Sequence, residues 1–160
     1  MAPQQDDAVE GSLEARYFCV GSVEDFAIPE GKTASCTPVP LADDPKRRVN
    51  LIHKIDTTAK DGPKTKFHAV LNICPHQGAP LHKGVVTDIE DMGIIWGTAI
   101  TCHLHGWTYD VTTGTCENSR TILDCFDVKV VDARVWVSRQ PSNLDVKGPR
   151  RDFGGNELDA

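Results

Sequence analysis

Two short stretches decide how this chain folds: Cys74-Pro75-His76-Gln77-Gly78-Ala79-Pro80-Leu81 and Cys102-His103-Leu104-His105-Gly106-Trp107-Thr108-Tyr109-Asp110. Each offers a cysteine and a histidine a short step apart, as Cys-x-His and Cys-x-x-His. Each follows an apolar run and has a glycine just beyond its histidine. Thiolates select zinc or iron–sulfur clusters, and imidazole suits both metals. Structural zinc sites usually take ligands as Cys-x2–4-Cys and His-x3–5-His pairs. Here each stretch donates one ligand of each type, which suits a centre of two metal atoms, the cysteines on one and the histidines on the other. The glycines allow the backbone to come close, so that N–H groups can point at bridging sulfides.

Outward from these stretches the pattern is β. Runs rich in Val, Ile, Thr and aromatics alternate with Gly, Pro and Asp turns. Strands are predicted at Ala15–Val20, Thr33–Val39, Val49–Ile55, Lys66–Ile73, Ile94–Cys102, Thr108–Asp110, Phe126–Val131 and Arg134–Ser138. Phe67, Ala69 and Leu71 share one strand face, as do Phe126, Val128 and Val130. The last two strands read as a hairpin turned at Asp132-Ala133. A two-residue turn of that kind prefers Gly at its second position, so Ala133 is expected to be strained or the turn to be of another type. Asp61-Gly62-Pro63 is a second turn. The one helical signal is a short turn at Ser22–Phe26 with Ser22 as a candidate cap. The class is all-β, with stacked antiparallel sheets.

The 160 residues fit one domain with tails, and 39% apolar and 25% charged residues are ordinary for a folded chain. A net charge of −6 argues against nucleic-acid binding, which needs a basic stripe. No apolar run approaches the roughly 18 residues of a membrane span. The N-terminus shows no basic segment followed by an apolar one, so a cytoplasmic protein is expected, where cysteines are usually reduced. Residues 1–13 read as a flexible N-terminus and 139–160 as a mobile tail, with the domain at 14–138.

The paired Cys-x-His and Cys-x-x-His pattern, together with Pro75, Gly78, Pro80 and Leu81 in the first stretch and Gly106, Trp107, Tyr109 and Asp110 in the second, resembles the Rieske family of [2Fe–2S] proteins. The resemblance spans roughly residues 15–138. It implies a Rieske fold, with a cluster-binding subdomain at about 72–114 inserted into a larger β base. It also implies that Cys74 and Cys102 bind one iron and His76 and His105 the other, with Gly78, Pro80, Gly106, Trp107 and Tyr109 around them. His103 lies between ligand positions as an alternative to His105, and the family register with Gly106 favours His105. Two ferric ions, two sulfides and two thiolates sum to about zero charge, against about −2 with four cysteines, so an electron is accepted more easily.

Two departures from the family matter. The 25 residues from Gln77 to Thr101 exceed the common family spacing. The excess is expected in Val86–Gly97, read as a surface loop or a partner-docking feature. Ala79 and Leu104 occupy positions where high-potential members carry a disulfide, and Trp107 replaces a serine two residues after the second histidine. Tyr109 is retained. A potential toward the lower part of the Rieske range of about −150 to +300 mV is expected.

Among the remaining residues, Cys19, Cys36 and Cys125 read as small buried hydrophobes and Cys116 as a neighbour of the second stretch rather than a ligand. His53 and His68 read as structural, and His82 as an exposed rim residue. Trp96 and Trp136 read as packing residues, and Trp107 as a shield over the cluster. The resemblance implies a one-electron carrier between a flavoprotein reductase and an oxygenase or similar acceptor. As a monomer it would dock through a basic face of its partner. A Rieske subunit of a larger oxidoreductase, like that of nitrite reductase, and a redox sensor are the alternatives. An oxygenase needs a further site of two histidines and a carboxylate. No histidine follows His105, and only His53 and His68 precede the first stretch.

Overall fold

The computed structural model describes residues 13–56 and 64–158. Nine strands run in chain order: β1 (Tyr17–Ser22), β2 (Ala34–Pro40), β3 (Arg48–Asp56), β4 (Lys64–Leu71), β5 (Val85–Asp91), β6 (Ile94–Thr101), β7 (Thr108–Asp110), β8 (Cys125–Val131) and β9 (Arg134–Pro141). They form a six-stranded sheet of order β1-β9-β8-β4-β3-β2 and a three-stranded sheet of order β5-β6-β7. Every pairing is antiparallel.

The large sheet is closed around the small one in sequence. β4 and β8 are hydrogen-bonded neighbours, Ala69 opposite Phe126 and Val70 opposite Cys125, although the whole small sheet lies between them in the chain. Val49, Leu51, Ile52, Val70 and Leu71 in the large sheet share one core with Ile73, Leu81, Ile100, Tyr109 and Leu123. Each fully buried aliphatic side chain contributes about 1.5–3 kcal/mol. β3 is buried from Val49 through Lys54, so both its faces are covered. β2 ends the sheet and carries Pro38 and Pro40, which an edge strand tolerates because one of its sides needs no N–H donor.

The predicted strands are present with their ends shifted by at most three residues, and Thr108–Asp110 is unshifted. The Ser22–Phe26 turn forms as a 3₁₀ turn at Val23–Phe26, where Asp25 accepts the Ser22 backbone N–H at 2.9 Å. The Asp132-Ala133 turn has φ of +52° and +63°, so Ala133 holds a left-handed conformation that suits glycine. Asp61-Gly62-Pro63 and residues 1–12 lie outside the described residues, while Leu13 is buried.

Two regions differ from the sequence expectation. Val86–Gly97 is a β-hairpin and not a loop: β5 pairs with β6 from Val85 opposite Thr101 to Asp91 opposite Ile94, turning at Met92-Gly93. Three acidic residues, Asp88, Glu90 and Asp91, break the two-residue alternation of apolar residues, which hid the strand. The C-terminal segment, expected to be a mobile tail, continues β9 to Pro141 and is then tied to the body. Arg150 binds the Asp124 carboxylate at 2.6 Å and the carbonyls of Asn143 and Val146. Arg47 pairs with Asp152, and Arg48 with Glu157. Leu158 N–H reaches the Gly78 carbonyl at 2.7 Å.

Candidate metal centre

The first loop leaves the core after Ile73 and the second leaves β6 at Thr101. Both close with the same hydrogen bonds. Cys74 N–H donates to Ala79 O at 2.8 Å and Gly78 N–H to Cys74 O at 2.7 Å. Cys102 N–H donates to Trp107 O at 2.8 Å and Gly106 N–H to Cys102 O at 3.1 Å. Gly78 and Gly106 occupy the same step of the two loops with φ of +82° and +75°, a left-handed turn that a side chain would strain.

The cysteines lie at the inner ends of the loops, 1% and 3% exposed. Each thiol acts on the other. Cys74 pulls the Cys102 thiol down to about 5, helped by the backbone N–H groups of Leu104 and His105. Cys102, with burial, pushes the Cys74 thiol well above its ordinary range, against the opposing pull of Tyr109 and the His76 N–H. The Tyr109 hydroxyl lies 3.4 Å from Cys74 Sγ, and burial holds its proton far above neutral pH, so it stays a donor. Cys116 pairs with Tyr109 through a backbone bridge, one step removed from the cysteine pair.

The imidazoles occupy the outer rim. His76 is half-buried and His105 exposed, with ring centroids 5.0 Å apart. Trp107 stacks flat on His76 at 3.7 Å and 4°, fixing the plane of that ring. Pro80 is buried and bridges to Ile73 ahead of the 3₁₀ turn at Leu81–Lys83. The donors thus come as a buried thiol pair beneath an imidazole pair. Among the described residues no three His, Cys, Asp or Glu side chains are arranged to hold a single ion. The donor set and its division into two pairs fit a two-iron cluster held by thiolates on its inner side and imidazoles on its outer side.

Asn72 joins the first loop to the C-terminal segment, bonding the His82 ring at 2.9 Å and Glu157 at 3.1 Å. His82 is therefore a half-buried, anchored residue rather than a free rim residue. The Cβ position of Gly78 lies 3.3 Å from the Phe153 ring, so the C-terminal segment supports the loop from below. No local sequence pattern signals these supports, because their partners are separated by more than 70 residues. Cys19 is exposed on β1, not buried; Cys36 is intermediate and Cys125 buried. Trp96 is 62% exposed and does not pack in the core, whereas Trp136 is partly buried in β9. His53 is buried against Phe67, and His68 is half-buried.

The sequence profile of the Rieske [2Fe-2S] domain matches residues 18–135. The chain belongs to the Rieske [2Fe–2S] domain family, and its cofactor is a Rieske-type [2Fe–2S] cluster. It is similar to the ferredoxin component of the alkene monooxygenase system of Xanthobacter autotrophicus, 35% identical over 77 residues, covering 48% of this chain and 57% of that one. It is also similar to apoptosis-inducing factor 3 of Homo sapiens, 31% identical over 84 residues, covering 51% of this chain and 12% of that protein. The matched span is under two thirds of either relative. A solved structure described as an NADH-dependent nitrite reductase small subunit from Mycobacterium tuberculosis shares the fold. Its TM-score is 0.56 and its identity 19%, over 77% of this chain and 94% of that one.

Proposed function

We propose that this protein is a one-electron carrier in which Cys74 and Cys102 hold one iron and His76 and His105 the other. The observation that carries this reading is the layering of the site: two thiols closed off from water, two imidazoles at the rim. When bound, the cluster supplies a one-electron couple of raised potential. The chain's own groups do the rest. Backbone N–H groups of His76, Leu104 and His105 and the Tyr109 hydroxyl stabilise negative charge on the sulfurs. Trp107 holds the His76 ring in one plane. His105 is favoured over His103 because its ring faces His76. The exposed imidazole edge is the short route for an electron to a docked protein.

The ferredoxin relative supports a place between a flavoprotein reductase and an oxygenase or similar acceptor. The net charge of −6 supports docking to a basic face, with electron-transfer rates that fall as salt rises. All six cysteines are free, which supports a reducing compartment such as the cytoplasm. Among the described residues no helix is long and apolar enough to cross a membrane.

The test is reduction of the purified, red-brown protein by a purified ferredoxin reductase of an alkene monooxygenase system, followed by reoxidation with its oxygenase. Rapid reduction by dithionite with no reduction by the flavoprotein would set the carrier reading aside in favour of a subunit or sensor. Loss of the rhombic EPR signal in Cys74→Ser, Cys102→Ser, His76→Ala and His105→Ala, with the signal kept in His103→Ala, is the outcome the ligand assignment requires.

A further inference from the structure

The C-terminal segment does more than close the fold: it returns to the metal centre. It meets the first ligand loop at two points, both at Gly78. The Phe153 ring lies 3.3 Å from the Cβ position of that glycine, and the Leu158 N–H donates to its carbonyl at 2.7 Å. Gly78 stands two residues after His76, and two residues span at most about 7 Å. With the hydrogen bond and the two flanking residues added, Leu158 Cα lies no more than roughly 14 Å from His76 Cα.

The last residues of this segment divide into an inner and an outer side. Asn156 is extended, with φ of −88° and ψ of 107°. In an extended chain neighbouring side chains point to opposite sides. Glu157 points inward, where it takes hydrogen bonds from Arg48 at 2.9 Å and from Asn72 at 3.1 Å and is 16% exposed at its side chain. Leu158 therefore points outward, and it is 42% exposed. Among residues 152–158 the exposed ones are Gly154, Asn156 and Leu158. Leu158 is the large apolar one of the three.

Charge says what kind of surface would meet it. Both carboxylates of the segment are neutralised from within, Asp152 by Arg47 and Glu157 by Arg48. A group seated on Leu158 thus finds an aliphatic side chain beside internally paired charges. It is matched by an apolar surface and not by an ion. Size says that a redox partner reaches it. Electron-transfer contacts are small, about 600 Å² a side, which is a disc of roughly 14 Å radius. A partner centred on the imidazole pair covers Leu158 within that radius.

We infer that Leu158 is a contact residue for the protein that exchanges electrons at His76 and His105, seated on an apolar patch beside that partner's own redox centre. The inference rests on the carrier reading. It makes the C-terminal segment part of the electron-exchange face. It also separates two roles: the net charge of −6 acts on the encounter at long range, whereas Leu158 acts on how long the complex lasts.

Stopped-flow reduction of the cluster-loaded full chain by a purified ferredoxin reductase of an alkene monooxygenase system tests it, with the concentration of the chain varied. Leu158→Ser is expected to raise the half-saturating concentration about fivefold and to leave the limiting rate near wild type. The ratio to wild type should be the same at about 50 and 500 mM NaCl, because salt screens charges and not apolar contacts. Leu158→Met should restore most of the affinity. The control is Val130→Ser. Val130 is 50% exposed on β8, which starts beside the end of β4 that leads into the first loop, so Val130 lies five residue steps, about 16 Å, further away. That variant should match wild type. Leu158→Ser indistinguishable from wild type overturns the inference and leaves the carrier reading standing. A changed EPR signal or midpoint potential in Leu158→Ser with an unchanged half-saturating concentration also overturns it, because the residue would then act on the loop and not on the partner. Wild type that the reductase fails to reduce at any concentration overturns the carrier reading, and this inference with it.

Discussion

The two loops of the metal centre share a backbone and differ in what holds them. Each is closed by the same pair of hydrogen bonds around a left-handed glycine. The first is supported from outside: the Phe153 ring lies under Gly78, Leu158 donates to the Gly78 carbonyl, and Asn72 joins Glu157, which is also held by Arg48. The second projects into solvent. Gly106 is exposed and has nothing within 4 Å of its Cβ position. It is held at its far end, by Trp107 lying on His76, by Thr108 bonded to Thr101 at 2.9 Å and by Asn118, whose side-chain oxygen accepts the Thr108 N–H at 3.1 Å. A loop backed at its glycine set against one open there suits a centre that must keep its geometry and still offer an edge to a partner.

Removing a donor should erase the comparison altogether. In Cys102→Ser the cluster is expected to be lost, read as the disappearance of visible absorbance and of iron from the purified protein. Retention of two irons per chain would overturn the assignment. The next largest effect should separate the loops. Gly78→Ala carries both a backbone penalty and a contact with Phe153, about 2 kcal/mol or more, whereas Gly106→Ala carries the backbone penalty alone, about 1 kcal/mol. Thermal melts showing equal losses would mean that the C-terminal segment does not support the first loop. Phe153→Ala should cost about 1–2 kcal/mol, being half-buried, and should broaden the environment of His76 more than that of His105 by NMR.

Tyr109→Phe removes a donor to Cys74 on the buried side common to both loops. A lower midpoint potential is expected, on the order of 50 mV for one lost hydrogen bond of about 1 kcal/mol. An unchanged potential in protein-film voltammetry would show that the backbone N–H groups suffice.

The smallest effect concerns acid. Burial works to raise the Asp152 carboxyl, but Arg47 outweighs it and the net direction is down. A depressed carboxylate contributes stability above its unfolded value near 3.9 and loses it as pH falls through the lower folded value. Asp152→Asn should therefore narrow the stability gap to wild type below about pH 4, by a few tenths of a kcal/mol for so exposed a pair. A gap that widens toward low pH would contradict the sign.

What the sequence determined by itself follows from local chemistry. The Cys-x-His and Cys-x-x-His stretches, their glycines and the alternating Val, Ile and aromatic runs are short-range patterns, so the cluster family, the all-β class and most strands could be read before any contact was known. Tertiary structure decided the rest for reasons of distance or compensation. β5 is a strand because β6 completes its hydrogen bonds, although its acids spoil the alternation. The segment after Pro141 carries no periodic pattern, yet Arg150, Asp152, Phe153 and Glu157 find partners far away in the chain. Trp96 looks like a core residue by type and is 62% exposed, lining a cavity with Lys54 and Lys66 that only the approach of the two sheets creates. Ligand chemistry is written in neighbouring residues, whereas the support of a loop depends on groups that folding alone brings together.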